Sequence, residues 1–271
     1  MLTFDALIDQ AKLRDMPPTK TRGVLREYMQ VVILNEFYKT DAGKELYFTG
    51  GTYLRLVHNL KRFSEDLDFN TQNLTPVKFE NYAEELIIGL KRLGMKSRVQ
   101  FAHWDNILVA KLTFPEIERS YNIVSQHSRK EGIIIKLETN RQKWKIKTVT
   151  EVISGFGVTY PCLCTDKGML FSDKIDALTK KKRGRHLYDI IFMLSNKFSI
   201  DRRSLKRFGI EEDPLSVILR SVQNYTKAEL KKQAEILRPF LFDEKEAELV
   251  ANAHNIMPGL IEQYRKGTHS I

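Results

Sequence analysis

The chain has 271 residues, 42% of them hydrophobic and 29% charged, a balance that is typical of one large or two ordinary folded domains and excludes dominant disorder. No apolar run approaches the roughly 20 residues that span a bilayer, and the acidic N-terminal segment is unlike a secretory signal, which predicts a cytoplasmic protein with no membrane partner. The excess of 44 Lys and Arg over 34 Asp and Glu, a formal charge of +10, favours a polyanionic partner such as nucleic acid.

The first part of the chain predicts helices and strands in mixed order. In chain order these are a helix over 22–38, a strand over 46–49, a helix over 52–60, a strand over 64–69, a helix over 76–93, and strands over 97–102, 107–114 and 133–139. Beyond Pro161 the strand signal fades and helical patterns take over. These helices are predicted over 168–180, 186–196, 214–222, 227–237 and 243–253.

These patterns predict an α+β protein with two domains. Residues 1–160 form a domain whose mixed sheet is flanked by helices, and residues 161–271 form an α-helical bundle that packs on it and completes the site. The only cysteines, Cys162 and Cys164, are one residue apart, which excludes a disulfide framework, and they lack the partners of a zinc site. Trp104 and Trp144 could stack on bases, but buried or rim positions are more common for tryptophan.

A pair of glycines separates the strand over 46–49 from the helix after it. Gly50 and Gly51 let the backbone approach a ligand closely, and the start of a helix offers unpaired N–H groups and a positive dipole end. Thr52 is suited to cap that helix or to donate its hydroxyl to a phosphate, and Ser64 to donate from the start of the next strand. The turn therefore predicts a phosphate site, although a lone glycine pair is more often a simple turn.

Asp66 and Asp68 are two residues apart on the strand predicted over 64–69. Alternate residues of a strand share a face, so the two carboxylates lie about 6 to 7 Å apart and suit joint coordination of Mg²⁺ around phosphate oxygens. An isolated Asp-X-Asp is more often a solvated strand face. The glycine turn and the acidic strand in one compact stretch favour phosphoryl or nucleotidyl transfer.

This combination resembles the DNA polymerase β-like nucleotidyltransferase superfamily and, more narrowly, the AbiEii-type nucleotidyltransferase toxins of bacterial toxin–antitoxin and phage-defence systems. The resemblance is carried by residues 50–54 and 62–69 and, later in the chain, by 174–178 and 183–189. It implies a polymerase β-like fold for the N-terminal domain. His186 departs from the pattern, since many relatives carry an acidic residue there.

The resemblance also implies roles for individual residues. The catalytic set is Asp66, Asp68, Lys174 and Asp189. The nucleotide-binding candidates are Gly50, Gly51 and Ser64 from the resemblance, together with Arg62 of the same motif and with Thr52 and Lys136, which are added from their own position and chemistry. The implied cofactor is Mg²⁺ or Mn²⁺, held by Asp66 and Asp68.

A third carboxylate is implied on a neighbouring strand, as polymerase-like transferases have. Glu138 is the candidate metal ligand, because the alternation over 133–138 predicts Lys136 and Glu138 on one strand face and apolar residues on the other. Lys136 would then lie near the substrate phosphates or pair with Glu138. The alternative, of equal weight, is that Lys136 and Glu138 lie on an exposed strand face and have no functional role.

Five cations occupy six positions over 180–185. This nucleic-acid-binding candidate consists of Lys180, Lys181, Lys182, Arg183 and Arg185. Such a run attracts a polynucleotide backbone or a triphosphate, and a merely solvated surface is the alternative.

The sequence thus predicts a metal-dependent nucleotidyltransferase that moves a nucleoside monophosphate from an NTP to an RNA hydroxyl. The resemblance and the positive charge imply the tRNA 3′ end as the acceptor, a toxin's role, and a cognate antitoxin as the partner. The first alternative is a protein or small-molecule acceptor. The second is a non-catalytic RNA-binding module.

Overall fold

The computed structural model describes residues 1–123 and 132–268. The chain divides into two compact units, Met1–Thr165 and Asp166–Ile271. A bilayer-spanning segment is not found among the helices of residues 1–123 and 132–268.

The first unit is built on one sheet. Its strands are β1 (Tyr47–Thr49), β2 (Leu67–Thr71), β3 (Arg98–Trp104), β4 (Ile107–Phe114), β5 (Ile133–Arg141), β6 (Thr148–Gly155) and β7 (Val158–Thr165). Its helices, within the residues described, are α1 (Phe4–Leu13), α2 (Thr21–Phe37), α3 (Ala42–Glu45), α4 (Gly50–His58), α5 (Pro76–Arg92) and α6 (Ile117–Ser120).

The sheet is mixed and has the strand order β3-β4-β5-β2-β1-β7-β6. The β2–β5 and β1–β7 pairs are parallel, and the other four neighbouring pairs are antiparallel. β2 therefore lies at the centre, between β1 and β5. The predicted α+β class with a mixed sheet is confirmed.

One face of the sheet forms the core of this unit. In β5 the alternate residues Ile133, Ile135 and Leu137 are buried, as the sequence pattern predicts for a strand with one covered face. Helices α2 and α5 pack on that face, and the rings of Phe37 in α2 and Phe69 in β2 lie 5.6 Å apart. Charged and polar side chains are left on the opposite face of β2 and β5.

The strands β6 and β7 are not predicted, because the sequence analysis ends the β signal at Pro161. Pro161 lies inside β7, where it is the register partner of Val152 in the hairpin with β6. A proline is tolerated in a strand where its missing N–H is not needed for a ladder bond. β6 is mostly exposed, so its sequence lacks the apolar face by which a strand is recognised.

The regular elements of the second unit, in its described part, are helices joined by turns and short loops. They are α7 (Lys167–Lys180), α8 (Gly184–Ser195), α9 (Arg202–Arg207), α10 (Pro214–Gln223), α11 (Lys227–Leu237), α12 (Ala247–Ala251) and α13 (Ala253–Thr268). The helix predicted over 243–253 is wrong as one element, because a short 3₁₀ turn, α12 and the start of α13 share it. α13 is not predicted, since Pro258 and Gly259 interrupt its helical pattern.

Candidate active site

The glycine turn and Asp68 are brought together by the pairing of β1 with β2. Thr49, the last residue of β1, is the register partner of Asp68. The next residue, Gly50, has a φ of +82°, and a Cβ built on it would lie 2.1 Å from Oδ2 of Asp68. Both the left-handed backbone and the closeness of the carboxylate require glycine at this position.

Gly51 lies against two of the predicted phosphate-binding side chains. A Cβ built on Gly51 would lie 2.6 Å from Nη2 of Arg62 and 2.9 Å from Oγ of Ser64. Arg62 is only 4% exposed, and its Nη1 donates to the carbonyl of Phe63 at 3.1 Å. A guanidinium and a hydroxyl therefore lie against glycine backbone at the start of α4, an arrangement suited to an anionic ligand.

Thr52 has a different place from the one predicted. The N-cap of α4 is Thr49, so the prediction that Thr52 caps this helix is wrong. Thr52 is fully buried, and its hydroxyl donates to the backbone carbonyl of Asp66 at 2.5 Å. Its observed contact holds the segment that carries Asp66 against α4.

Thr49 is a site residue that the sequence analysis does not identify. Its Oγ1 is buried and has no hydrogen-bond partner among the residues described. It precedes Gly50 directly and is paired in register with Asp68. The signal that could have found it is its place as a threonine before the glycine pair, where a helix cap is expected.

The acidic strand begins later than predicted. β2 runs from Leu67 rather than from residue 64, so Asp66 lies just before the strand and Asp68 within it. Leu67 between them is fully buried, whereas both aspartates are partly exposed. The predicted alternation of an inward apolar residue and outward acids is therefore kept around Leu67.

Glu138 is the register partner of Asp68 in the parallel pairing of β5 with β2. Register partners of neighbouring strands share a face and lie about 5 Å apart at their backbones. Lys136, two residues earlier on the same face, is exposed. The fold therefore puts Glu138 and Lys136 on the face of the sheet that carries Asp68.

The three carboxylates do not form a ready-made ligand cluster. In residues 1–123 and 132–268 no three His, Cys, Asp or Glu side chains are grouped so as to hold a metal ion. The predicted set of Asp66, Asp68 and Glu138 is thus not assembled as one group in this structure, and Asp66 is the member that lies outside the strands. The carboxylate oxygens of these three residues nevertheless belong to the ligand class that Mg²⁺ and Mn²⁺ prefer.

A buried cation adds to the electrostatics around Asp66. Nη1 of Arg26 lies 2.8 Å from Oε1 of Glu65. Burial lowers the pKa of the Arg26 guanidinium, and attraction to Glu65 and, less strongly, to Asp66 opposes that shift. Arg26 stays charged, since even a lowered arginine pKa lies far above neutrality.

The predicted lysine and aspartate of the second unit meet in a buried ion pair. Nζ of Lys174 on α7 lies 2.8 Å from Oδ2 of Asp189 on α8, and Asp189 has no solvent exposure. His186, one turn before Asp189, has its pKa lowered to about 3 by burial and by the charge of Lys174. Its Nδ1 is buried without a hydrogen-bond partner in the described part of the chain. His186 is therefore neutral at physiological pH.

The basic run is partly neutralised by neighbouring groups. Nζ of Lys180 lies 2.7 Å from Asp176, and that of Lys182 lies 3.0 Å from Glu229. The remaining cations, Lys181, Arg183 and Arg185, are exposed. Three of the five predicted nucleic-acid-binding residues thus present their charge to solvent without a nearby acid, counting the residues described.

A cavity of about 520 Å³ lies in another part of the first unit. It is lined by the segment between α2 and α3 and by residues of α3, α5, β6 and β7, among them Tyr38, Gly43 and Cys162. None of the predicted site residues lines it.

Comparisons with known proteins identify the family and the fold. The sequence over residues 32–255 matches the family described as Nucleotidyl transferase AbiEii toxin, Type IV TA system. No match is found among curated proteins.

Two solved structures share the fold. MenT4, a nucleotidyltransferase toxin from Mycobacterium tuberculosis H37Rv, has a TM-score of 0.57 and 16% identity, with 97% of this chain and 99% of that chain covered. JHP933 from Helicobacter pylori has a TM-score of 0.55 and 16% identity, with 92% of this chain and 95% of that chain covered. At such identities the likeness establishes the fold alone.

Proposed function

Because the chain belongs to the AbiEii nucleotidyltransferase toxin family of type IV toxin–antitoxin systems, we propose that it moves a nucleoside monophosphate from an NTP to an RNA hydroxyl. The acceptor in this proposal is the 3′ end of tRNA, where the added nucleotide would block translation. The family implies an antitoxin partner, and the toxin acts in the cytoplasm in this proposal.

The observation that carries the proposal is the fit of Gly50 against Asp68. A glycine turn that leads into a helix binds phosphate through its backbone, and here it adjoins a carboxylate with almost no space between. Arg62 and Ser64 extend the same cradle at Gly51. The function therefore rests on one short stretch of chain in which anion-binding groups and acids are neighbours.

The residues present fit a divalent metal ion. Asp66 and Asp68 would hold it together with phosphate oxygens of the substrate, and Glu138 adds a carboxylate beside Asp68. When bound, such an ion lowers the pKa of an attacking hydroxyl and stabilises the charge on the leaving phosphates.

The chain's own residues bind and orient the reactants. The Gly50–Gly51 turn, Ser64 and Arg62 hold the triphosphate, so that its α-phosphorus faces the acceptor hydroxyl. The acceptor oxygen forms a bond to that phosphorus, the bond from phosphorus to the pyrophosphate oxygen breaks, and the hydroxyl proton passes to a nearby carboxylate or water. Arg62 and Lys136 offset the charge that develops on the phosphate oxygens.

Lys174 and Asp189 are proposed to serve the same reaction through contact with the nucleotide. Their support is the short ion pair, which orients the Lys174 ammonium, and the match of the surrounding sequence to the family. Burial of Asp189 keeps the ammonium in one position, as a substrate-positioning cation requires.

The proposal is tested by incubation with each α-labelled NTP, Mg²⁺ and purified tRNA. We expect label on the tRNA 3′ end with the wild-type chain and none with Asp68→Asn. A parallel incubation with total protein extract separates RNA from protein acceptors. Label on protein alone would contradict the RNA acceptor while leaving nucleotidyl transfer intact.

A cellular assay separates catalysis from RNA binding. Induced expression of the wild-type chain is expected to arrest growth, and Asp66→Ala is expected to relieve the arrest at equal protein level. A folded Asp66→Ala protein that still arrests growth would favour the non-catalytic RNA-binding alternative.

A further inference from the structure

A second polar site lies where β2 and β5 end. A cavity of about 280 Å³ is lined only by amide and cationic side chains. We name it the amide cavity, and its lining residues are Gln72, Asn73, Asn106, Arg141, Gln142 and Lys143. Side-chain amides carry both donors and acceptors, the groups that read the edge of a nucleobase, and the two cations suit a phosphate.

The amide cavity lies beside the proposed active site on the same two strands. Thr71 and Arg141 are register partners, as are Asp68 and Glu138 three residues earlier. Three residues of a strand span about 10 Å. The cavity is therefore within reach of a polymer whose end lies at the carboxylates.

The walls of the amide cavity are held in place by hydrogen bonds. The backbone N–H of Arg141 donates to the carbonyl of Asn106 at 2.7 Å, and that of Gln142 donates to Thr71 at 2.7 Å. Nε2 of Gln142 also donates to Oδ1 of Asn70 at 3.1 Å. Nε of Arg141 is buried without a hydrogen-bond partner among the residues described.

The segment that leaves the cavity is strongly basic. Residues 141–147, the basic loop, contain four cations and no acid in seven positions. Three of the four, Lys143, Lys145 and Lys147, are exposed. Such a row of charge is complementary to a polynucleotide backbone and not to a protein of mixed charge.

Trp104 is an exposed aromatic side chain just before the turn that provides Asn106 to the amide cavity. It is the last residue of β3, its side chain is 60% exposed, and the β3–β4 turn that follows it provides Asn106 to the cavity. A tryptophan that is left in solvent is suited to stack on a base in single-strand binding. Its register partner, Ile107, is in turn paired with Asn140, two residues beyond Glu138.

We propose that the amide cavity, the basic loop and Trp104 bind the single-stranded RNA acceptor just upstream of its reacting end. One unpaired base enters the cavity, the backbone phosphates lie along Lys143 and Lys145, and a neighbouring base stacks on Trp104. This assignment rests on the proposed function. A mononucleotide whose phosphates lie at Arg62 has no further phosphates to place along the loop, whereas a polynucleotide has one at every step.

The test is RNA binding in the absence of NTP. Fluorescence anisotropy with a labelled single-stranded RNA is compared for the wild type, Lys143→Ala/Lys145→Ala, and Trp104→Ala. The matched control is Lys91→Ala/Arg92→Ala, which removes two exposed cations at the end of α5, the helix that packs on the opposite face of the sheet. Thermal unfolding curves establish that the variants are folded.

We expect about tenfold weaker binding for the double lysine variant and at least about fivefold weaker binding for Trp104→Ala. Binding of RNA weakens as salt rises, and each phosphate contact to a single strand contributes about 0.7 to the size of that slope of log K against log salt. Loss of two contacts therefore makes the slope shallower by about 1.4. KM for the NTP stays unchanged in both variants, and the control binds like the wild type.

Three outcomes overturn this assignment or separate it from the proposed function. Binding and salt slope equal to those of the control overturn it, while RNA labelling by the same variants leaves nucleotidyl transfer standing. A raised KM for the NTP with unchanged RNA binding assigns the cavity to the nucleotide substrate and also overturns it. Weakened RNA binding in the variants with no RNA labelling by the wild type supports the RNA site and contradicts the proposed acceptor.

Discussion

Gly50 and Asp68 are in contact across the β1–β2 pair, so closely that a Cβ on Gly50 would lie 2.1 Å from a carboxylate oxygen of Asp68. Neither residue adjoins the other in sequence, and it is the register of Thr49 with Asp68 that joins them. The proposed phosphate turn and the proposed metal-binding acid are therefore one unit, and a change at either one alters the other.

Gly50→Ala is expected to abolish this fit. The substitution places a methyl group where the Asp68 carboxylate lies and also strains a backbone with φ of +82°, so transferase activity falls at least tenfold. Gly94→Ala is the matched control, because Gly94 has a φ of +80° with nothing within 4 Å of the added Cβ. Both variants lose about 1 kcal/mol from backbone strain.

The measurement is NTP-dependent labelling together with urea unfolding. Gly94→Ala should keep its activity, and Gly50→Ala should lose further stability because the Asp68 side chain must move. Equal activity in the two variants would contradict a functional contact between Gly50 and Asp68.

Asp68→Asn and Glu138→Gln test the carboxylate pair on β2 and β5. Each removes a negative charge at the same shape, and we expect kcat to fall about 100-fold or more for Asp68→Asn. The kcat of Glu138→Gln should be at least about tenfold lower than that of the wild type, because Glu138 is the register partner of Asp68 on the same face. Glu84→Gln, an exposed carboxylate on α5, is the control and should leave kcat unchanged. A kcat of Glu138→Gln equal to that of the wild type would contradict a functional role for Glu138 and favour the alternative of a strand face without one.

Removal of divalent metal should abolish transfer. We expect a chelator to stop NTP-dependent labelling and added Mg²⁺ or Mn²⁺ to restore it, since the site's acids are oxygen donors of the class these ions prefer. Asp66→Asn should raise the Mg²⁺ concentration that gives half-maximal activity. The titration is followed by incorporation of label into RNA at saturating NTP, and full activity in chelator would contradict a metal requirement.

Lys174→Met is expected to destabilise the second unit. It removes the cation 2.8 Å from a carboxylate that has no solvent exposure, which costs about 3 kcal/mol or more. Lys180→Met on the same helix is the control, because the Lys180–Asp176 pair is exposed at the lysine and is worth at most about 0.5 kcal/mol. Urea unfolding of the full chain measures both. Similar losses in the two variants would show that the buried pair does not contribute specifically.

His186 should make stability depend on pH. Its pKa is lowered to about 3 in the folded chain, against about 6.5 when unfolded. Between these values the unfolded chain binds a proton that the folded chain does not, so the free energy of unfolding falls as pH is lowered below about 6.5. The slope attributable to His186 is at most about 1.4 kcal/mol per pH unit.

Urea unfolding at pH 7, 6 and 5 measures this slope. His186→Gln should flatten it, since glutamine does not titrate. The same slope in both proteins would mean that the His186 side chain is solvated and titrates normally.

Most of the elements could be predicted from local patterns. The helix α5 is predicted to within one residue and β4 and α11 to the residue, because each has strong periodicity with a proline, a turn or a capping box at its boundary. The strands β6 and β7 are missed, because their stability comes from pairing with each other and with β1, and pairing partners far apart in sequence leave no local pattern.

The candidate site divides in the same way. The glycine turn and the acidic strand can be identified from short sequence segments, and their resemblance to known motifs identifies the family. The hydrogen bond from Thr52 to the Asp66 carbonyl and the burial of the Thr49 hydroxyl depend on how α4 packs against β2.

The family, the acidic and glycine motifs and the charge that favours nucleic acid could all be predicted from the printed residues, because the chemistry of short segments does not depend on distant ones. The pairing of Asp68 with Glu138 and the place of the basic loop beside an amide-lined cavity depend on how the chain folds. The register of parallel strands, set by side chains buried on the other face of the sheet, decides which residues of distant segments become neighbours.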